Sequence, residues 1–468
     1  MTYASEIHTF HSGQTRPKSS SSLKFTSIDP STGKSLATIY TTTSEQLDDA
    51  ISSAQNAFKE WSQTPAKERA AVLLRAAAIL RERNDDLALV ETLDTGKAWS
   101  ETSTVDIITG VDVLEYYAHF ITDGIPGQHI KLRPDAYVSV TYAPLGVCAG
   151  IGSWNYPIQI ALWKLAPCLA AGNCMVYKPS EVTPLHANIP AQIYVEASLP
   201  PGVFNVVYGD GPTTGAPFVA HPGIAKFSFT GQVSTGSKVA SQAARDLKVC
   251  TNGTHVFVPD VLLDQVEQAL VKRYREGIRM GLPKEHDTEI GPVVSATQKS
   301  KINSYIQHGR EQEKAKVLYD GSIYVRFPTK EGFWVPSVIF TGCTDDMRNC
   351  RGEIFGPVMC ILPYSTGGPA EEWLPKLIER ANDTVFGLAA GVVASDIALA
   401  QRVIQQLDAG INWINTWGES PAEMPVGGWK MSGIGLENGH EGIQAYLQTK
   451  STLMQCTKVA CGGVFAAL

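Results

Sequence analysis

The chain of 468 residues lacks a basic excess: 39 lysines and arginines stand against 46 acidic residues, a net charge of −7. That balance excludes the electrostatic footprint of a nucleic-acid binder and of a polybasic membrane patch. The nine cysteines include no C-x-x-C pair and show no metal-ligand spacing with histidine. Neither a disulfide framework nor a metal site is expected, and a reducing compartment, the cytoplasm, follows by elimination. Apolar runs long enough to span a bilayer are missing, so no membrane partner is expected. The first 22 residues, "MTYASEIHTFHSGQTRPKSSSS", hold no apolar h-region and read as a short disordered lead. The terminal "GGVFAAL" is not a peroxisomal tripeptide.

What is present is a globular composition, 44% hydrophobic and 18% charged, over a length that suggests two or three domains. Between Ser44 and Asn84, apolar residues recur at three- and four-residue spacing, which predicts helices. After Pro144 the pattern changes. "GVCAGIGSWNYP", "NCMVYKPSEVTP", "GVFNVVYGDGP" and "IAKFSFTGQVSTG" are short apolar runs ending in glycine, proline or small polar residues. Helical stretches such as "IQIALWKLAPCLAAG" lie between them, as in βαβ units on a parallel sheet. Ligands collect at the carboxyl ends of such strands. Beyond Cys250, "THVFVP", "WVPSVIF", "VMCILPY" and "GLAAGVVA" predict the strands of a second α/β unit.

Several of those strand ends carry chemistry. In "FTGQVSTGSK", Gly231 and Gly236 would let backbone N–H groups approach an anion at a helix start. A plain strand-to-helix turn has the same glycines, and Ser237–Lys238 stand in the wrong order for a nucleotide P-loop. In "YKPSEVTP", Lys178 and Glu181 can grip ribose hydroxyls or form an ordinary solvated ion pair. In "GSWNYP", Asn155 offers an amide donor for an oxyanion, or a helix cap. Cys250, in "AARDLKVCTNGTHVFVP", stands before a β-branched run, after what reads as an amphipathic helix from near Thr235 to Lys248.

Taken in order, Asn155, Lys178 with Glu181, Gly231 with Gly236, Cys250 and "GEIFGPV" at 352–358 resemble the aldehyde dehydrogenase superfamily over almost the whole chain. The stretches "ETLDTGKAWSETSTVDIITGVDVLEYYA", "GIGSWNYPIQIALWK" and "NTWGESPAEMPVGGWKMSGIG" look like its betaine aldehyde dehydrogenases. The resemblance implies an α/β fold with a Rossmann-type NAD-binding domain (1–124 and 144–249), an α/β catalytic domain (250–445) and a small oligomerisation hairpin (125–143 with 446–468), hence a homodimer or homotetramer. It implies that Cys250 attacks the aldehyde, that Asn155 and the Cys250 N–H hold the oxyanion, and that a thioester is then hydrolysed. Lys178 and Glu181 would bind the adenine ribose, Glu181 favouring NAD over NADP. Glu353 would hold the nicotinamide ribose, with Phe355 and Trp154 along the cofactor channel. Tyr156, Trp163 and Trp417 would present aromatic faces to a quaternary or primary ammonium group on the substrate. For Trp163, core packing is an equal alternative.

One part of the family pattern is absent. Relatives of this kind carry a strand with an E-L-G-G-K motif, a further strand and a helix before the nucleophile. Here only Val249 separates Lys248 from Cys250. The gap amounts to roughly 35–40 residues, about one βαβ unit, and takes with it the general-base glutamate. The implied consequences are a strand–helix segment missing from the cofactor sheet and impaired turnover. Lys164 and Glu437 match a pair that can relay protons in the family. The alternative is a catalytically dead subunit, or a misassembled product, that only pairs with intact homologues.

Overall fold

The computed structural model describes residues 3–232, 247–248, 255–324, 327–329 and 331–455. Cys250 and Gly236 lie outside the described residues. The predicted helices form as Ser44–Trp61 and Ala66–Glu82, the first opened by a capping box between Thr43 and Gln46. The four predicted strand ends close Val147–Ile151, Cys174–Lys178, Phe204–Val206 and Lys226–Thr230, which lie parallel within one seven-stranded sheet. Its order places Lys226–Thr230 on one side of Val147–Ile151, and Cys174–Lys178 then Phe204–Val206 on the other. The chain therefore reverses direction across the sheet at Val147–Ile151, and a crevice is expected at the carboxyl ends there.

Helix Pro157–Ala170 explains why this half is well anchored. All 14 of its residues are buried. It starts on a proline, and the Glu91 carboxylate accepts the Ile158 N–H at 3.2 Å, satisfying one of the orphan donors of its first turn.

Two expectations need correction. The N-terminal stretch is not a disordered lead: Glu6–Ile7 pairs with Ser35–Tyr40, and Phe10–His11 pairs with Val206 of the cofactor sheet. Ile7 and Phe10 are buried in the main core, and that burial offsets the cost of ordering the segment. Nor is Lys248 a helix end. Leu247–Lys248 pair in parallel with Phe229–Thr230, as a strand beside Lys226–Thr230.

The second unit is built on a four-stranded sheet ordered His255–Pro259, Val358–Tyr364, Val338–Thr341, Lys316–Asp320, with the last antiparallel. A smaller parallel pair, Ala389–Val392 with Ile411–Ile414, follows. Gln128–Arg133 and Ala136–Pro144 form a hairpin, and Leu447–Gln455 pairs along the whole outer side of the second strand. Among the described residues, no helix is long and apolar enough to cross a membrane.

Candidate active site

The reversal point of the first sheet gathers the strand-end residues. Ile151 leads into Gly152, Ser153, Trp154 and Asn155; Thr230 leads into Gly231; Lys178 closes the neighbouring strand. Gly152 is required by close approach, since a Cβ there would stand 2.0 Å from the Tyr177 hydroxyl. Asn155 is oriented by Ser153, whose hydroxyl donates to its Oδ1 at 2.6 Å, which turns the amide NH2 to the opposite side. Such a fixed amide can serve a developing oxyanion.

Lys178 is buried, and its Nζ lies 3.5 Å from a half-exposed Glu181 carboxylate while donating to the Pro179 carbonyl at 3.2 Å. Burial lowers the Lys178 pKa, and the Glu181 charge opposes that shift. A sealed cation beside an open carboxylate presents a donor and an acceptor to a diol.

The second unit meets this mouth through Phe355, whose ring packs edge-on to Trp154 at 5.0 Å and 73°. Phe355 has φ +56°, a strained conformation for a bulky residue. Gln298 holds it there by donating to the carbonyls of Ile354 at 3.2 Å and Phe355 at 2.7 Å. Glu353 is drawn up in pKa by burial, with Lys301 pulling the other way. The order of residues in "GEIFGPV" gives no sign of Gln298 or Lys301, which come from the helix Ala296–Glu311.

Deeper down, Lys164 is fully buried and all three of its N–H donors find acceptors: Ser228 Oγ at 3.0 Å, Thr230 Oγ1 at 2.7 Å and Glu437 Oε1 at 2.8 Å. Burial lowers the Lys164 pKa and Glu437 counteracts it. Ser228 and Thr230 lie two apart on one strand and so share a face.

The three aromatic candidates occupy different settings. Tyr156 is partly buried, with the Lys97 ammonium 3.4 Å from its ring centroid, and its hydroxyl donates to Glu101 at 3.1 Å. Trp163 belongs to the main core, and its indole N–H has no acceptor among the described residues. Trp417 is exposed and packs on Trp413 at 4.9 Å. The Lys97 contact was not foreseen, although Lys97 and Glu101 stand at helical spacing and form an ion pair of 2.9 Å.

Sequence comparison matches this arrangement to the aldehyde dehydrogenase family over residues 17–249 and 248–452. The chain belongs to the aldehyde dehydrogenase family. Among solved structures it is similar to an aldehyde dehydrogenase from Bacillus cereus in its NAD+ complex, at 32% identity and TM-score 0.90, covering 97% of each chain. It is also similar to the betaine aldehyde dehydrogenase of Staphylococcus aureus in complex with NAD+, at 30% identity and TM-score 0.91, covering 98% of this chain and 97% of that one. The α/β architecture expected from the resemblance is thereby shown.

Proposed function

We propose that the protein oxidises an aldehyde bearing a trimethylammonio or amino group, betaine aldehyde or a close relative, to the carboxylic acid with NAD. The observation that carries this reading is the sealed Lys178 ammonium beside the open Glu181 carboxylate at the strand-end crevice, 3.5 Å apart. That pair suits a ribose diol, and the Glu181 charge disfavours a 2′-phosphate. Trp154, Phe355 and Glu353 would hold the nicotinamide end, and Gly231 with Gly236 would admit the pyrophosphate. When bound, NAD supplies the hydride acceptor.

The chain's own residues do the rest. The Cys250 thiolate adds to the aldehyde carbon, and the Asn155 amide stabilises the oxyanion that forms. Once hydride has left that carbon, a thioester remains on Cys250 for water to cleave. Tyr156 and Trp417 would offer aromatic surface to the ammonium group, while Trp163 takes the core-packing alternative. Hydrolysis is the weak step in this reading. The family match divides at residues 248–249, in keeping with a lost general-base segment. The hairpin sheet, with Ile130, Leu132 and Leu453 exposed, would pair with a second copy to give a dimer or tetramer, in the cytoplasm.

Rapid mixing of the protein with NAD and betaine aldehyde tests this. A burst of about one NADH per site, then slow turnover that an added nucleophile such as hydroxylamine accelerates, is expected if the thioester forms and waits. Cys250→Ser should abolish the burst. Absence of both burst and NAD binding would remove the proposal and leave a subunit with only a structural role.

A further inference from the structure

Three cysteines that the sequence spreads over 18 positions converge in the second unit. The sulfur atoms of Cys343, Cys350 and Cys360 all lie within 4.8 Å of one another. The sheet makes this happen. Cys360 lies on the central strand Val358–Tyr364, and Cys343 follows the neighbouring strand Val338–Thr341, its N–H donating to the Ile361 carbonyl at 3.0 Å. Cys350 comes from the short helix Arg348–Arg351, tied down by the Cys360 thiol donating to the Asn349 carbonyl at 3.7 Å. On the other side of the central strand, His255 pairs in register with Cys360, so the two side chains leave the same face of the sheet.

A single buried cysteine is normally a small hydrophobic residue, and Cys343 and Cys360 are indeed part of an apolar cluster. Three sulfurs meeting at one point are a different matter. Four-coordinate zinc with Zn–S bonds of 2.3 Å spaces its sulfurs about 3.8 Å apart, so the thiols need to close by no more than about 1 Å. Cys343 and Cys360 are buried, and Cys350, intermediate as a whole residue, has its thiol enclosed with theirs.

We propose that Cys343, Cys350 and Cys360 form a binding site for a thiophilic cation of the Zn2+ class. Each thiol that ligates gives its proton to solvent, so uptake releases protons and tightens as pH rises. The helix carrying Cys350 runs directly into Gly352, Glu353, Ile354 and Phe355. A bound ion would therefore brace the segment that carries the nicotinamide-side residues, a consequence that rests on the proposed function, whereas the site itself does not.

Cadmium is the probe, added to the reduced, chelator-treated full chain in a Cys250→Ser background so that the candidate nucleophile does not contribute. Sulfur-to-cadmium charge-transfer absorption should saturate at about one ion per chain, with protons released in parallel. Cys350→Ser, at the partly exposed position, should keep the fold and weaken binding by roughly a hundredfold or more, at or above the loss seen when only a supporting residue is changed. No charge-transfer band, a band unchanged in both Cys350→Ser and Cys343→Ala, or a disulfide within the trio with no ion retained would each overturn the site. None of these readouts needs catalytic activity, so failure here is distinct from failure of the proposed reaction.

Discussion

Lys164 with Glu437, a floor packed against Ser228 and Thr230, and Lys178 with Glu181, at the mouth formed by a strand end, are the same two residue types, yet the two pairs do opposite work. In the floor, the contact is 2.8 Å, the lysine is fully enclosed and the glutamate side chain is 10% exposed. In the mouth, the contact is 3.5 Å and the glutamate side chain is 46% exposed. A closed pair with every donor satisfied has nothing left to offer a ligand, and its partners become mutually indispensable. An open pair contributes little to stability and keeps its oxygen available for recognition. Residue type therefore does not distinguish scaffold from site here; enclosure does.

The comparison breaks most visibly in the floor. Glu437→Ala would strand the Lys164 ammonium against two hydroxyls in an apolar surround. A loss of about 3–5 kcal/mol is expected, read as a lowered denaturation midpoint. The double change Lys164→Met with Glu437→Leu removes both charges and should recover most of that loss. A single variant as stable as the parent would show that water reaches this pair.

Another enclosed carboxylate, Asp94, is buried and accepts from the Ser27 hydroxyl at 2.6 Å and the Leu185 N–H at 2.8 Å. Burial pushes its pKa up to about 7, against the pull of those two hydrogen bonds. The folded state then holds this proton more tightly than the unfolded chain does. Its contribution to stability is full below pH ~4, the unfolded value, and is lost as pH rises through about 7. The loss is on the order of 2–4 kcal/mol between pH 4 and 8. Asp94→Asn keeps the shape of the protonated acid, its NH2 facing Ser27 and its oxygen facing Leu185. Melting curves across that range should therefore be flatter in the variant than in the parent. Parallel curves would mean that Asp94 stays ionised.

How legible each part was follows from the same physics. The strand ends at Ile151 and Lys178 show in sequence because a strand buried on both faces is a continuous apolar run that must stop on a turn residue, whereas Lys226–Thr230 shows by its alternation, KFSFT, before Gly231. Pairs within a few positions, such as Lys178 with Glu181, are visible as spacing. Lys164 and Glu437 stand 273 positions apart, and only the family resemblance, not their local sequence, brought them together. The N-terminal strands Glu6–Ile7 and Phe10–His11 are two residues each, too short to show alternation, so the segment read as a tail. The cysteine trio escaped for another reason. Its members sit on two strands and a helix, and metal-binding patterns in sequence capture only ligands on one local turn.

The mouth sharpens the comparison with a smaller effect and no cost to the fold. Glu181→Gln removes a half-exposed charge whose ion pair with Lys178 is worth ~0–1 kcal/mol, so the denaturation midpoint should stay within about 0.5 kcal/mol of the parent. Lys178 remains as a buried donor, and the amide oxygen can still accept from a ribose hydroxyl. What changes is the repulsion that a 2′-phosphate would meet, about 1–2 kcal/mol for like charges near a protein surface. The ratio of NAD to NADP affinity, measured by calorimetric titration of each, should fall by roughly tenfold. If instead the variant loses stability on the scale of the floor and leaves that ratio untouched, Glu181 belongs with Glu437 as scaffold, and enclosure is not what separates the two pairs.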